Sequence, residues 1–284
     1  MIEYIIIAIL QGLFEWLPIS SSGQVIIVAT DFFNITPTEA FSLSIWLHLG
    51  TMFAVLLKFR KDYFNILKSL APKRYNSEEI DIKKRNWVII ATLATAITAV
   101  PLYFIFKFVL IEGFSAKSGD FLTLIIAGLL IITGIILIKF KRNYGNKNLK
   151  NVSNEDLRKD SFISGLIQGI SILPGVSRSG FTVSTILAEK YRTDNALKLS
   201  FLMSVPVIIA SIGMDVIFGE GSVFGILDPI TIILITLISF VVGYLTINIL
   251  LKISKKFQFG YFCIFYGIIA WLILFPVLFY SPIG

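Results

Sequence analysis

The sequence predicts an all-α membrane protein made of two halves in an inverted-topology repeat, each half a re-entrant helical hairpin followed by three transmembrane helices. Three observations predict it. Hydrophobic residues fill 56% of the 284 positions, charged residues only 15%, and mean hydropathy is +0.83, too apolar for a soluble domain. Six apolar runs reach the roughly 20 residues that a helix needs to span a bilayer, whereas two others are interrupted at their middles by proline, serine and glycine. Both interrupted runs carry the same polar motif, 157 positions apart.

In chain order, residues 2–33 form the first interrupted run, broken by Pro18 and "SSSG", and runs at 40–58, 87–110 and 121–139 complete the first half. Residues 162–189, broken by "PGVSRSG", open the second half, and runs at 199–218, 229–251 and 259–279 complete it. Each interrupted run is too long for one ordinary span and too short for two with a turn between them. A segment that enters and leaves on one side is tolerated only where its loop is buried in protein or lines a wet cavity, so both are assigned as re-entrant. The start of the chain has no basic run and no small-residue cleavage site, and is read as structure instead of a signal peptide. The chain reads as one membrane domain, 1–284, with repeats at 1–140 and 160–284. The sole cysteine, Cys263, excludes a disulfide framework and a pair-based zinc site.

Net charge +7 and a pI near 9.4 could suggest nucleic acid, but the bases lie in membrane-flanking loops, and no nucleic-acid partner is expected. With both hairpins re-entrant, loops 58–86, 139–160, 189–198 and 252–256 share one side and carry 9, 7, 3 and 3 Lys or Arg, 22 of the 25. The positive-inside rule makes that side cytoplasmic, in a multi-pass protein of the cell membrane with both termini outside. The opposite side keeps Glu3, Asp31, Glu39, Glu112, Asp120, Glu220 and Asp228, with Lys117 nearly its only loop base. The loop bases serve topology and contacts with anionic membrane lipids. The hairpins thus enter from opposite sides, and halves so related pack about a pseudo-two-fold axis in the membrane plane, their broken helices meeting near the midplane. The two serine-rich loops are predicted to touch.

The chemistry of that meeting point follows. "QGLFEWLPISSSG" at 11–23 and "QGISILPGVSRSG" at 168–180 both fit Q-G-x7-S-x-S-G. A helix begins near Gly23 and another near Gly180, so free N–H groups and positive dipole ends converge and favour an anion. Ser20, Ser21, Ser22, Ser177 and Ser179 add hydroxyl donors or caps, and glycines let the backbone approach a ligand. Arg178 offers a planar fork matched to phosphate oxygens, and an intramembrane charge is a functional candidate by default. Gln11 and Glu15, at i and i+4, share a helix face just ahead of the serines. The bland alternative, small residues as helix-packing surface, does not explain two matched polar loops. For His48, the only histidine, the reading favours a hydrogen-bonded bundle residue, and Pro101 and Pro206 are expected to kink helices.

The Gln11-to-Glu15 pair, "LPISSSG" and "PGVSRSGFT" at 174–182 resemble the BacA-type undecaprenyl-diphosphatases, over essentially the whole chain. The resemblance implies a membrane phosphatase that removes one phosphate from a polyprenyl diphosphate from the outer face. It implies stimulation by a divalent cation of the Mg2+ kind. It puts Ser21 in the position of the proposed nucleophile, Arg178 on the phosphate, and Glu15 with Gln11 on metal or proton transfer. Gly23, Gln24, Gly180 and Thr182 fall with the serines in the substrate-binding motifs. Bacterial members commonly have Glu where Gln11 stands and His where Gln24 stands. A neutral amide can coordinate a cation without giving charge, and it cannot serve as a general base near neutral pH, so Glu15 becomes the leading base. The reading is therefore an enzyme whose partners are a polyprenyl diphosphate and membrane lipids, with a homodimer as one candidate assembly. The rival class is a flippase or transporter for a polyprenyl phosphate or another anion, since broken-helix repeats also build transporters.

Overall fold

The computed structural model describes residues 1–71, 77–108, 118–140, 145–218, 222–256 and 259–280. Of the loop charges counted above, Glu112, Lys117, Glu220, Lys73, Arg74, Lys141 and Arg142 lie outside the described residues. Within them the regular structure is helical, with no strand and one isolated parallel bridge, Lys147 to Tyr191. The first part holds α1 (Ile2–Phe14), α2 (Ser21–Ile27) with a π-helical turn at Val28–Phe32, α3 (Pro37–Lys58), α4 (Arg60–Lys68), α5 (Glu79–Ile105) and α6 (Ser118–Phe140). Next come α7 (Asn154–Ile170), α8 (Arg178–Ala188), α9 (Thr193–Phe218), α10 (Val223–Ile226), α11 (Pro229–Lys256) and α12 (Phe259–Tyr280).

The chain is an all-α membrane protein: α3, α5, α6, α9 and α11 are each long and apolar enough to cross a bilayer. The sixth predicted span is the apolar 22-residue α12. Observed helices overrun the apolar runs where polar groups can support them. Thr36 caps α3 by accepting from the Glu39 N–H at 3.3 Å, and Pro37 is preset for the first helical position. At the polar start of α5, Lys84 bridges Asp62 at 2.8 Å and Asp81 at 2.9 Å. The interrupted runs are broken where predicted, at 15–20 and 171–177. At 13 residues α1 is about 20 Å long, short of the roughly 30 Å hydrocarbon core.

Packing interlocks the two parts. α5 lies on α7, α11 lies on α1 and α3, α9 lies on α3, and α6 pairs with α12. Repeat-related glycines stand in two of these contacts. A Cβ on Gly12 would stand 2.8 Å from the Val242 Cβ of α11, and one on Gly169 would stand 2.7 Å from the Thr95 carbonyl oxygen of α5. Beside Gly12, Trp16 is sealed in, its indole N–H donating to the Gly243 carbonyl at 3.0 Å and its ring edge-on to Phe201. In α9, Pro206 cannot donate to the Leu202 carbonyl. The Tyr63 hydroxyl of α4 takes that carbonyl at 3.1 Å and the Phe201 carbonyl at 3.2 Å.

Candidate active site

The turn leaving α1 ends at Ser20, whose φ of 59° lies in the left-handed region, a strain of about 1 kcal/mol or more for a residue with a side chain. Contacts across the molecule hold it there. Ser20 Oγ accepts from the Gly175 N–H at 2.9 Å and, at 3.4 Å, from the Gly23 N–H at the start of α2. Gly175, at φ +100°, meets it in the opposite loop, where a Cβ would come within 2.6 Å of the Ile126 carbonyl oxygen. A Cβ on Gly23 would be 2.9 Å from Gly175 N, so the two loops touch, as the sequence predicts. Ser177 caps α8 as Ser20 caps α2, accepting from the Gly180 N–H at 3.1 Å. The residue after each cap starts its helix, and these are Ser21 and Arg178. A nucleophile candidate and a cation thus occupy the same position in the two motifs.

Glu15 joins them. It is 5% exposed; its Oε1 receives an N–H of the Arg178 guanidinium, and its Oε2 accepts from Ser21 Oγ at 2.8 Å and from Gln11 Nε2 at 2.8 Å. His48 of α3 completes the ring, with Nε2 at 3.3 Å from the same Oε2 and Nδ1 at 2.6 Å from the Ser44 carbonyl. A carbonyl only accepts, so Nδ1 carries the hydrogen. Ionised, Glu15 and Arg178 make a desolvated pair, and removing either partner would leave an uncompensated buried charge, at a cost of about 3–5 kcal/mol. Nearby, burial pushes the Tyr63 phenol above its ordinary range while the Arg178 charge opposes the rise, so Tyr63 stays a donor.

Glu15, Ser21, His48 and Arg178 line a cavity of about 80 Å3, together with apolar side chains that include Leu17, Phe41, Ile45, Ile172, Val207 and Ile208. Glu15, Ser20, Ser21, Ser22, Ser177, Arg178 and Ser179 all stand on its wall. Four residues expected on the substrate do not. Thr182 is fully buried, its Oγ1 donating to the Arg178 carbonyl one turn back at 2.8 Å and pairing with Ser200. Gly23 and Gly180 are used in the loop crossing, where a Cβ on Gly180 would be 3.2 Å from the Pro18 Cβ. Gln24 is 6% exposed, and its Nε2 is buried away from the cavity wall. The sequence reading favoured a hydrogen-bonded bundle residue for His48; the ring does bond the Ser44 carbonyl, and it also stands on the cavity wall against Glu15. The available signal was a lone imidazole within an apolar span.

A resident divalent cation would need several oxygen donors free to turn to it. Gln11 turns its amide nitrogen to Glu15, so its oxygen faces away from that carboxylate, buried, without a hydrogen-bond partner and off the cavity wall. Both Glu15 oxygens are engaged by donors, and no group of three or more His, Cys, Asp or Glu side chains that could hold a metal occurs among the described residues. Gln11 and Glu15 as arranged do not fit a resident metal site.

Fold and site together define a class: a polytopic membrane protein that gathers a serine, a carboxylate and a guanidinium on the wall of one half-apolar cavity. Sequence comparison gives the particular family. The chain belongs to the bacitracin resistance protein BacA family, whose family model matches residues 4–272. It is 38% identical over 269 residues to the undecaprenyl-diphosphatase of Methanothrix thermoacetophila, covering 95% of each chain. It is 36% identical to that of Methanococcoides burtonii, with 96% of this chain and 98% of the relative covered. To that of Haloarcula marismortui it is 33% identical, with 93% of each covered.

Proposed function

We propose that this protein hydrolyses the terminal phosphate of a polyprenyl, undecaprenyl-type diphosphate within the membrane and releases the lipid monophosphate, so recycling a lipid carrier. The observation that carries the reading is Glu15, which accepts the hydrogen of Ser21 at 2.8 Å through one oxygen and binds Arg178 through the other. A transporter needs an anion site but no nucleophile on a base. The relatives' name supplies the substrate class, and the half-apolar cavity suits a charged head on an isoprenoid tail.

In the proposed reaction Arg178, with the hydroxyls of Ser20, Ser22, Ser177 and Ser179, binds the diphosphate and offsets charge as it develops. Glu15 takes the Ser21 proton as Ser21 Oγ bonds to the terminal phosphorus and the bond to the bridging oxygen breaks, leaving with the lipid monophosphate. Water then attacks the phosphoserine and restores Ser21. Direct attack by water on the same phosphorus uses the same groups. A divalent cation of the Mg2+ kind belongs to the substrate on this reading, entering on diphosphate oxygens, since Mg2+ is commonly held largely by substrate phosphates.

Residues 1–140 and 160–284 form an inverted repeat with both termini outside, and the reciprocal packing of α5 on α7 and of α11 on α1, each sealed by a motif glycine, supports it. Purified protein with Mg2+ and a polyprenyl diphosphate is expected to release phosphate, and Arg178→Ala to abolish release with helix content retained. Full activity in Arg178→Ala would overturn the site assignment. Lipid movement across reconstituted vesicles without hydrolysis would overturn the enzyme in favour of a flippase.

A further inference from the structure

His48 belongs to no motif of the proposed reaction, yet it is the one side chain from α3 that touches the Glu15 carboxylate. Its orientation is fixed from behind. The Nδ1–H is spent on the Ser44 carbonyl at 2.6 Å, so a neutral ring presents the bare lone pair of Nε2 to Glu15 Oε2 across 3.3 Å. Two acceptors face each other there, and the gap slightly exceeds an ordinary N–H···O bond. That arrangement is repulsive when empty and becomes a hydrogen bond when one proton enters. The source of a proton lies against the same atom: Ser21 Oγ, 2.8 Å from Oε2. Charged groups facing the imidazole are Glu15 from the end of α1 and Arg178 from the start of α8, and the guanidinium is already committed to the other Glu15 oxygen. A backbone-anchored ring with its free lone pair aimed at a carboxylate is more than a satisfied bundle histidine requires.

We propose that His48 Nε2 and Glu15 Oε2 form a proton slot that makes Glu15 a competent base, and that His48 is its positioning residue; this rests on the phosphatase reading above. In the first step the Ser21 O–H bond breaks, Ser21 Oγ bonds to the terminal phosphorus, the bridging P–O bond breaks with its electron pair on the lipid phosphate, and the proton settles between Oε2 and Nε2. In the second, water oxygen bonds to phosphorus, the P–O bond to Ser21 breaks, and the slot returns its proton to Ser21 Oγ. Both hydrogens of the water leave on phosphate as H2PO4−. Arg178 stays paired with Oε1 throughout, so the carboxylate does not rotate away from the serine.

Because the chain has a single histidine, protein labelled with 15N-histidine gives one imidazole to observe. At neutral pH and without substrate, Nδ1 is expected to carry the hydrogen and Nε2 to be bare, with the Nε2 signal moving in Glu15→Gln. Protonation at Nε2 in the resting protein, or an Nε2 signal indifferent to Glu15→Gln, overturns the proposal. In turnover, His48→Gln places an amide beside Oε2 that can donate but not take up a proton, so kcat is expected to fall about 100-fold with KM unchanged, the scale of a lost acid–base contribution. Wild-type kcat in a folded His48→Gln variant overturns it equally. Failure of the wild type to release phosphate would sink the phosphatase reading, whereas the imidazole spectrum still decides whether the slot exists.

Discussion

One residue, Glu15, organises the site, and its energetics explain why the chain keeps a carboxylate, a guanidinium and an imidazole at membrane depth. None of the three is tolerable alone in that setting, and each supplies what another lacks: Arg178 neutralises one oxygen, while Ser21 and Gln11 donate to the second. A half-buried carboxylate lies at the far end of the second hairpin. Glu189 is held by burial first, then by the Asp160 charge, at a pKa pushed up to about 9, against opposing contributions from Ser164, whose hydroxyl donates to it at 3.2 Å, and from Lys147. A carboxyl raised in the folded state favours folding most below its ordinary unfolded pKa, near 4, and that contribution disappears as pH rises through 9. Thermal stability in detergent is therefore expected to fall between pH 5 and 9. Glu189→Gln, permanently neutral, should flatten that slope and raise stability at pH 8 by about 1 kcal/mol or more. A variant with the wild-type slope would show that Glu189 is ionised in the fold.

Among the elements, the short helices of the two hairpins matter for what they aim and not for their own stability. α2 has seven residues and α8 eleven, too few to persist alone, so the crossing of their loops must hold them. That crossing has no spare room at Gly23, where a Cβ would lie 2.9 Å from Gly175 N and 3.0 Å from Ile126 Cγ2. Gly23→Ala is expected to push the loops apart by a few tenths of an ångström or more, at about 1–3 kcal/mol, and to lower phosphate release by at least tenfold. Gly213 in α9 is the matched control. Nothing stands within 4 Å of its would-be Cβ, so Gly213→Ala should leave activity unchanged and add about 0.5–1 kcal/mol from helix propensity. Equal effects from the two substitutions, read by phosphate release and thermal unfolding, would refute the crossing as the element that sets the geometry.

For the whole molecule, what the sequence disclosed follows physical scale. The spans were legible because burial in lipid demands long apolar runs, and the loop contact was legible because paired motifs leave a mark in spacing. The roles of Thr182 and Gln24 were not, since a side chain's direction on a short helix depends on neighbours that no spacing records: Thr182 turns back to the Arg178 carbonyl, and Gln24 is buried off the cavity wall. The contact of His48 with Glu15 was hidden for the same reason, since it comes from a span distant in sequence from either motif. The relation of the halves rests on hairpins that return to the side they entered, and chemical labelling tests this directly. Cys263 is buried and the only cysteine, so a Cys263→Ser background admits single reporters at the exposed positions Phe32, Lys61, Lys159 and Arg192. Lys159→Cys and Arg192→Cys bracket the second hairpin and should react with a membrane-impermeant thiol reagent from the same side as Lys61→Cys, with Phe32→Cys reacting from the other. If Lys159→Cys and Arg192→Cys label from opposite faces, the second hairpin crosses the membrane and the halves cannot be inverted. The loops could still meet in that case, but the basic loops 139–160 and 189–198 would be divided between the two sides, which the charge distribution opposes.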